Sequence, residues 1–201
     1  MTEQALTLPS FLAASREPAE ASRLRRDDRE AIEQSQHGER DAFDRLVERY
    51  QRDVYRLCYR YLNNHEDASD VAQEAFLRAY RAIRSFRGDS SFATWLYRIA
   101  VNACLNFRAA RRPTTTEVPE VADPRAGAQE HLEHDEQSRR VREAVSRLPE
   151  KQRATVILKV YHELTHEEVA RVLGSSVGTV KASLFHALGN LRKMLSTPVG
   201  K

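Results

Sequence analysis

Cysteine, glycine, proline and aromatic residues are all scarce in this chain of 201 residues. Two cysteines, Cys58 and Cys104, are too few for a disulfide scaffold, and neither belongs to a metal-type Cys-x-x-Cys pair. Both fall in helical patterns, where a buried, inert thiol is expected. Seven glycines and seven prolines disfavour a sandwich of many short strands and suit long helices. No run approaches the ~18 uninterrupted apolar residues of a membrane-spanning helix, so no membrane insertion is expected. Met1–Pro18 lacks a basic start followed by an apolar stretch. That predicts no secretory signal and a cytoplasmic setting.

Enzymatic motifs are missing too. There is no glycine-rich phosphate loop, nucleophile elbow or zinc-protease signature. His131-x-x-His134 falls in an acidic stretch, and His162 and His166 flank an expected helix break. Neither pair has cysteine partners or an ordered third ligand nearby, so no metal and no cofactor is expected. Asp70 and Glu74 can pass for a carboxylate pair, but no partner base accompanies them. An ion-pair or docking surface is the better reading.

What the chain has is charge, unevenly spread. Its net +3 divides into −1 over residues 1–30, +3 over 31–112, −6 over 113–138 and +7 over 139–201. Two basic blocks flank an acidic strip. Basic blocks suit nucleic acid, and solvated helix faces are the plain alternative.

Apolar periodicity organises the two blocks. A short helix is expected from Asp27 to Gln36, with Gly38 as its stop. From Glu39 to Leu62, Phe43, Leu46, Val47, Tyr50, Val54, Leu57, Cys58 and Tyr61 form one helical stripe. A second stripe runs through Ala68, Val71, Ala72, Ala75, Phe76, Ala79, Tyr80 and Ile83, and Asp70, Gln73 and Glu74 sit off its centre. A turn, Ser85–Ser91, precedes a helix from Phe92 to Ala110. Residues 113–136 hold three prolines and the acidic excess, and read as a flexible linker. Helices then follow, ending near Leu148 and running from Glu150 to His162. Thr165 to Glu168 is a capping box that opens a short helix stopping at Gly174. Ser176 caps a last helix, Val177–Leu195, with an expected buried stripe of Val180, Leu184, Leu188, Leu191 and Leu195.

A short helix, a glycine turn and a longer helix make a helix-turn-helix candidate. In the last helix, Lys181 can reach a guanine edge or a phosphate, His186 can donate, and Phe185 can touch a thymine methyl. Ser176 and Thr179 can hold phosphate at the helix start, beside Ala182 on the outer face. The stretch 86–106 gathers Phe86, Phe92, the only tryptophan (Trp95), Arg87, Arg98, Asn102 and Asn106. Aromatics can stack on unpaired bases while Arg and Asn position the strand. Core packing of Trp95 and a solvated face for the two asparagines are the plain alternatives.

Asp70-Val-Ala-Gln-Glu-Ala-Phe76, the run Phe86-Arg-Gly-Asp-Ser-Ser-Phe-Ala-Thr-Trp95 to Asn102, Leu148-Pro149 and Val177-Gly-Thr-Val-Lys181 together resemble the extracytoplasmic-function (group 4) sigma factors of bacterial RNA polymerase, in the sigma-70 family. The resemblance covers about residues 27–112 and 137–196. It implies an all-α chain of two small helical domains, sigma-2 and sigma-4, the latter carrying the helix-turn-helix. It implies a non-enzymatic factor that binds core polymerase and directs promoter-specific initiation in a stress or envelope-signal response. Asp70, Gln73 and Glu74 would dock on the β′ clamp helices. Phe86, Arg87, Phe92, Trp95, Arg98, Asn102 and Asn106 would melt and read the minus-ten element. Ser176, Thr179, Lys181, Ala182, Phe185 and His186 would read the minus-thirty-five element. The β subunit, promoter DNA and an anti-sigma factor are the other implied partners. Relatives often carry Arg-Ser-Arg at Lys181-Ala182-Ser183 and Arg at His186, so this chain departs there.

The expected organisation is a tail (1–26), a sigma-2 domain (27–112), a linker (113–136), a sigma-4 domain (137–196) and a short tail (197–201). The rival reading is a one-component helix-turn-helix regulator. It requires an effector pocket or dimer interface in 27–112, and leaves the Asp70–Phe76 block and the aromatic turn unexplained.

Overall fold

The computed structural model describes residues 28–111 and 132–196, with side chains for 28–111 and 138–196. The 1–26 tail, residues 113–131 of the expected linker, the 197–201 tail, His131 and the His134 side chain lie outside the described residues. Among the described residues every regular element is helical. These are α1 (28–36), α2 (Arg40–Leu62), α3 (His65–Ala82), a 3-10 turn (Ile83–Ser85) and α4 (Phe92–Ala110). After the undescribed stretch come α5 (Leu132–Ser146), α6 (Glu150–Val156) with a π-helical turn (Ile157–Tyr161), α7 (His166–Leu173) and α8 (Val177–Ser196).

Local chemistry sets the breaks. Asn63 adopts a left-handed conformation (φ 56°) and ends α2, its N–H donating to the Tyr59 carbonyl. Asparagine tolerates that region better than most residues. Asn64 then caps α3, accepting from the Asp67 N–H at 3.0 Å. Ser91 caps α4 in the same way through the Thr94 N–H at 3.1 Å. Thr165 and Glu168 form the expected capping box at the start of α7. α5 starts at Leu132, inside the stretch expected as linker. Acidic residues suit a linker and also favour a helix start, and the end of the acidic run takes the second role.

α2, α3 and α4 close a first unit around Leu46, Val54, Leu57, Ala75, Leu96 and Ala100, all buried. Cys58 and Cys104 are free, fully buried and hydrogen-bonded to each other. That bond and burial push the Cys104 thiol far above its ordinary range, which leaves it unreactive. α5 to α8 form a second unit around Leu148, Ala154, Ile157, Leu158, Val169 and Val180.

Two expected core positions move outward. Tyr80 is 40% exposed and leans edge-on against Phe43, with ring centroids 5.1 Å apart. Its hydroxyl tip favours water while the ring covers Phe43. Leu188 is 50% exposed, and the buried line of α8 is Val180 and Ala187, with Leu184, Leu191 and Met194 partly covered. The stripe drifts because 3.6 residues per turn places position 187, not 188, over 180 and 184.

The two units meet along a seam. α4 packs on α7, and α2 packs on α5 and the π-helical turn. Arg153, 4% exposed, donates to the carbonyls of Tyr61 (3.2 Å) in the first unit and Leu148 (3.1 Å) in its own, and also to that of Ser146. The Arg60 guanidinium lies 3.7 Å from the centre of the Tyr161 ring. Tyr97 and His162 bring their rings to 4.8 Å. The Tyr61 hydroxyl, Arg153 Nε and His162 Nε2 are buried without a hydrogen-bond partner among the described residues.

Candidate polymerase and promoter interface

Three helix faces carry the residues singled out in the sequence. On α3, Val71, Ala72, Ala75 and Ala79 face the core. At 100° per residue, Asp70, Gln73, Glu74, Leu77 and Arg81 share an arc of about 100° on the opposite side. Asp70 and Gln73 are exposed, and Glu74 half-buried. Arg78 Nε donates to Glu74 at 2.7 Å, which lowers the Glu74 pKa below the usual carboxylate range. Leu77, 45% exposed, sits among these polar groups and was not singled out in the sequence. Its place one turn beyond Gln73 and Glu74 was the available signal.

On α4, Trp95, Arg98, Asn102 and Asn106 lie within an arc of about 80°. Arg98, Asn102 and Asn106 are exposed and Trp95 half-buried. The turn before α4 folds its aromatics into one cluster. Phe86 stands 5.2 Å from Trp95 and 5.9 Å from Phe92, and Phe92 stands 5.6 Å from Trp95. Gln36 of α1 holds the turn by donating to the carbonyls of Phe86 (2.7 Å) and Ile83 (3.1 Å). Phe92 is only 4% exposed. It therefore supports Phe86 and Trp95 from behind, and its N1 position in α4, directed at Tyr50, explains why. Arg87 is exposed beside Asp89, 3.5 Å away.

On α8, Ser176 caps the helix through the Thr179 N–H at 3.1 Å and bonds the Thr179 hydroxyl at 2.8 Å. Ser176, Thr179, Lys181, Ala182, Phe185 and His186 are all exposed. Gly174, with φ 59°, makes the tight turn between α7 and α8 that a side chain would strain. The helix-turn-helix expected from the sequence is therefore present: α7 short, α8 long, its outer face open.

Two family models match. Sigma-70 region 2 covers residues 46–114 and Sigma-70 region 4 covers residues 138–191, more than half of the chain between them. The RNA polymerase sigma-H factor of Pseudomonas aeruginosa is 39% identical over 180 residues, 84% of this chain and 93% of that protein. The chain belongs to the extracytoplasmic-function sigma factors of the sigma-70 family. The ECF RNA polymerase sigma-E factor of Escherichia coli K12 is 41% identical over 172 residues, 80% of this chain and 90% of its own. Among solved structures, CnrH in complex with the cytosolic domain of CnrY superposes with a TM-score of 0.66 at 25% identity, covering 84% of this chain and 97% of CnrH. The sigma factor thus binds core RNA polymerase and promoter DNA and directs transcription initiation, within a family of non-catalytic factors. The region 2 match accounts for the Asp70–Phe76 block and the aromatic turn, which the regulator reading left unexplained. No described helix is long and apolar enough to cross a membrane.

Proposed function

We propose how this sigma factor divides that work among its residues. Asp70, Gln73 and Glu74 dock on the β′ clamp helices, with Leu77 as the apolar centre of the contact. Phe86, Arg87, Trp95, Arg98, Asn102 and Asn106 take the melted minus-ten strand, with Phe92 as their support. Ser176, Thr179, Lys181, Ala182, Phe185 and His186 address the minus-thirty-five element. Residues 27–112 and 137–196 act as separate domains joined through 113–136, the factor works in the cytoplasm without enzymatic activity of its own, and an anti-sigma factor holds it in check. The last point is supported by CnrH, whose structure holds it with CnrY.

The observation that carries this reading is the α4 arc. Three exposed side chains that can contact nucleic acid, Arg98, Asn102 and Asn106, line up with Trp95 beside a preformed aromatic cluster. An isolated solvated face has no need of such a neighbour. The test is promoter opening, read by permanganate reactivity of unpaired thymines, with Arg98→Ala and Asn102→Ala. Both variants are expected to keep wild-type helicity and polymerase affinity and to lose opening. Normal opening by both would sink the minus-ten assignment.

A further inference from the structure

α1 carries none of the residues assigned to polymerase or promoter, yet it is fastened to the aromatic turn before α4 from two directions. Asp28, at its start and 9% exposed, accepts from the Tyr50 hydroxyl at 2.5 Å and pairs with Arg49. The Tyr50 ring in turn lies 5.4 Å from Phe92, the support of the aromatic cluster.

Gln36, at the other end of α1, reaches the turn itself. Its single Nε2 bonds two carbonyls on either side of a backbone bend, those of Ile83 and Phe86. Carbonyls only accept, so the amide must present its nitrogen there. The Ile83 carbonyl also takes the Phe86 N–H at 3.0 Å. Beyond Phe86, residues 87–90 make no backbone-to-backbone hydrogen bond among the described residues. Gly88 takes φ 77°, and nothing lies within 4 Å of where its Cβ would be. The turn therefore has no backbone frame of its own between Phe86 and the Ser91 cap. Phe86 is fixed by Gln36 at its carbonyl and by the rings of Phe92 and Trp95 beside it.

Stacking an unpaired base on a loop yields only what remains after that loop has been ordered. A loop ordered beforehand avoids that loss at the moment of melting. We propose that α1 is the strut of the strand-capturing turn and Gln36 its positioning residue, holding Phe86 against Trp95 before DNA arrives. This rests on the assignment of the turn and α4 to the minus-ten element.

The test compares Gln36→Met, which keeps the side-chain length and removes the donor, with Gln36→Lys, which supplies a donor again. Trp95 is the only tryptophan, so in the free full chain it reports the cluster directly. Gln36→Met should shift its emission to the red and raise its quenching by acrylamide, with helicity unchanged. With core polymerase, recruitment to the promoter before opening should stay at the wild-type level. Opening, followed by permanganate reactivity over time, should slow about tenfold, the scale of losing one or two half-buried hydrogen bonds. Gln36→Lys should return both readouts toward the wild type. Wild-type opening or unchanged Trp95 emission in Gln36→Met overturns the proposal. So does a Gln36→Lys variant as defective as Gln36→Met, or a loss of helicity or polymerase affinity in Gln36→Met, which would make Gln36 a general support of the fold. Arg98→Ala separates the two claims. If it opens normally, the minus-ten assignment fails. If it cannot open while Gln36→Met opens normally, only the role of Gln36 fails.

Discussion

Acidification should part the two helical units before it unfolds either of them. His162 sits on the seam, its ring tilted against Tyr97 of α4 and near Arg60 and Arg56 of α2. Burial, and then the positive charge of those two arginines, push its pKa down to about 4. The ordinary imidazole value is 6.5. The folded state therefore binds a proton less readily than the unfolded chain. Stability is full above about pH 6.5 and declines as the pH falls toward 4. At pH 5 the two titrations differ by about 2 kcal/mol, an upper value because the ring is only partly covered. A charged ring would face two guanidinium groups, with Nε2 already lacking a partner. The loss falls on contacts that join the units, so opening should precede melting. The assay is the full chain at pH 7.5 and pH 5, with fluorophores on α3 and α8, circular dichroism for helicity, and His162→Gln alongside. The wild type should lengthen its label distance at pH 5 with helicity intact, and His162→Gln should show a much smaller change. Equal pH dependence in both proteins would refute the role given to His162.

Other outcomes follow from burial and exposure. Reversing the charges of Asp70 and Glu74 to Lys should change stability by about 0.5 kcal/mol or less yet sharply reduce core polymerase capture in a pull-down. Leu158→Ala, at a fully buried position, should cost about 2–5 kcal/mol in denaturant melts, whereas Leu188→Ala, half-exposed, should cost under about 1 kcal/mol. Thr165→Ala removes the α7 cap and should lower stability by about 1 kcal/mol, with hydrogen exchange rising first in 166–173.

Helix existence and limits were legible where apolar period and caps agree, as at Ser91, Thr165 and Ser176. The α4 and α8 outer faces could also be read, since spacing alone fixes which residues share a side. Tyr80 and Leu188 were misplaced because each lies at the margin of its stripe, where hydrophobicity says little about cover. Phe92 counts with the base-stacking aromatics by its neighbours in sequence, but its place in the first turn of α4 also suits inward packing, which is where the structure puts it. The seam was invisible. Arg153 meets the Tyr61 carbonyl across 92 residues of chain and His162 meets Tyr97 on another helix, and periodicity carries no information about such pairs. Arg153 in particular looks like surface charge until the carbonyls around it are known.

The π-helical turn at Ile157–Tyr161 bears on how this protein tolerates change in length. Such a turn holds one residue more than an α-helix needs, and the surplus rotates everything after it by about 100°. Tyr161, the last residue of the turn, and His162, the first after it, reach Arg60 and Tyr97. Deleting one residue there would straighten the helix and swing both rings off their partners. The shortened chain would keep two sound halves and lose their agreement about orientation, so the surplus residue works as a phase setting between them.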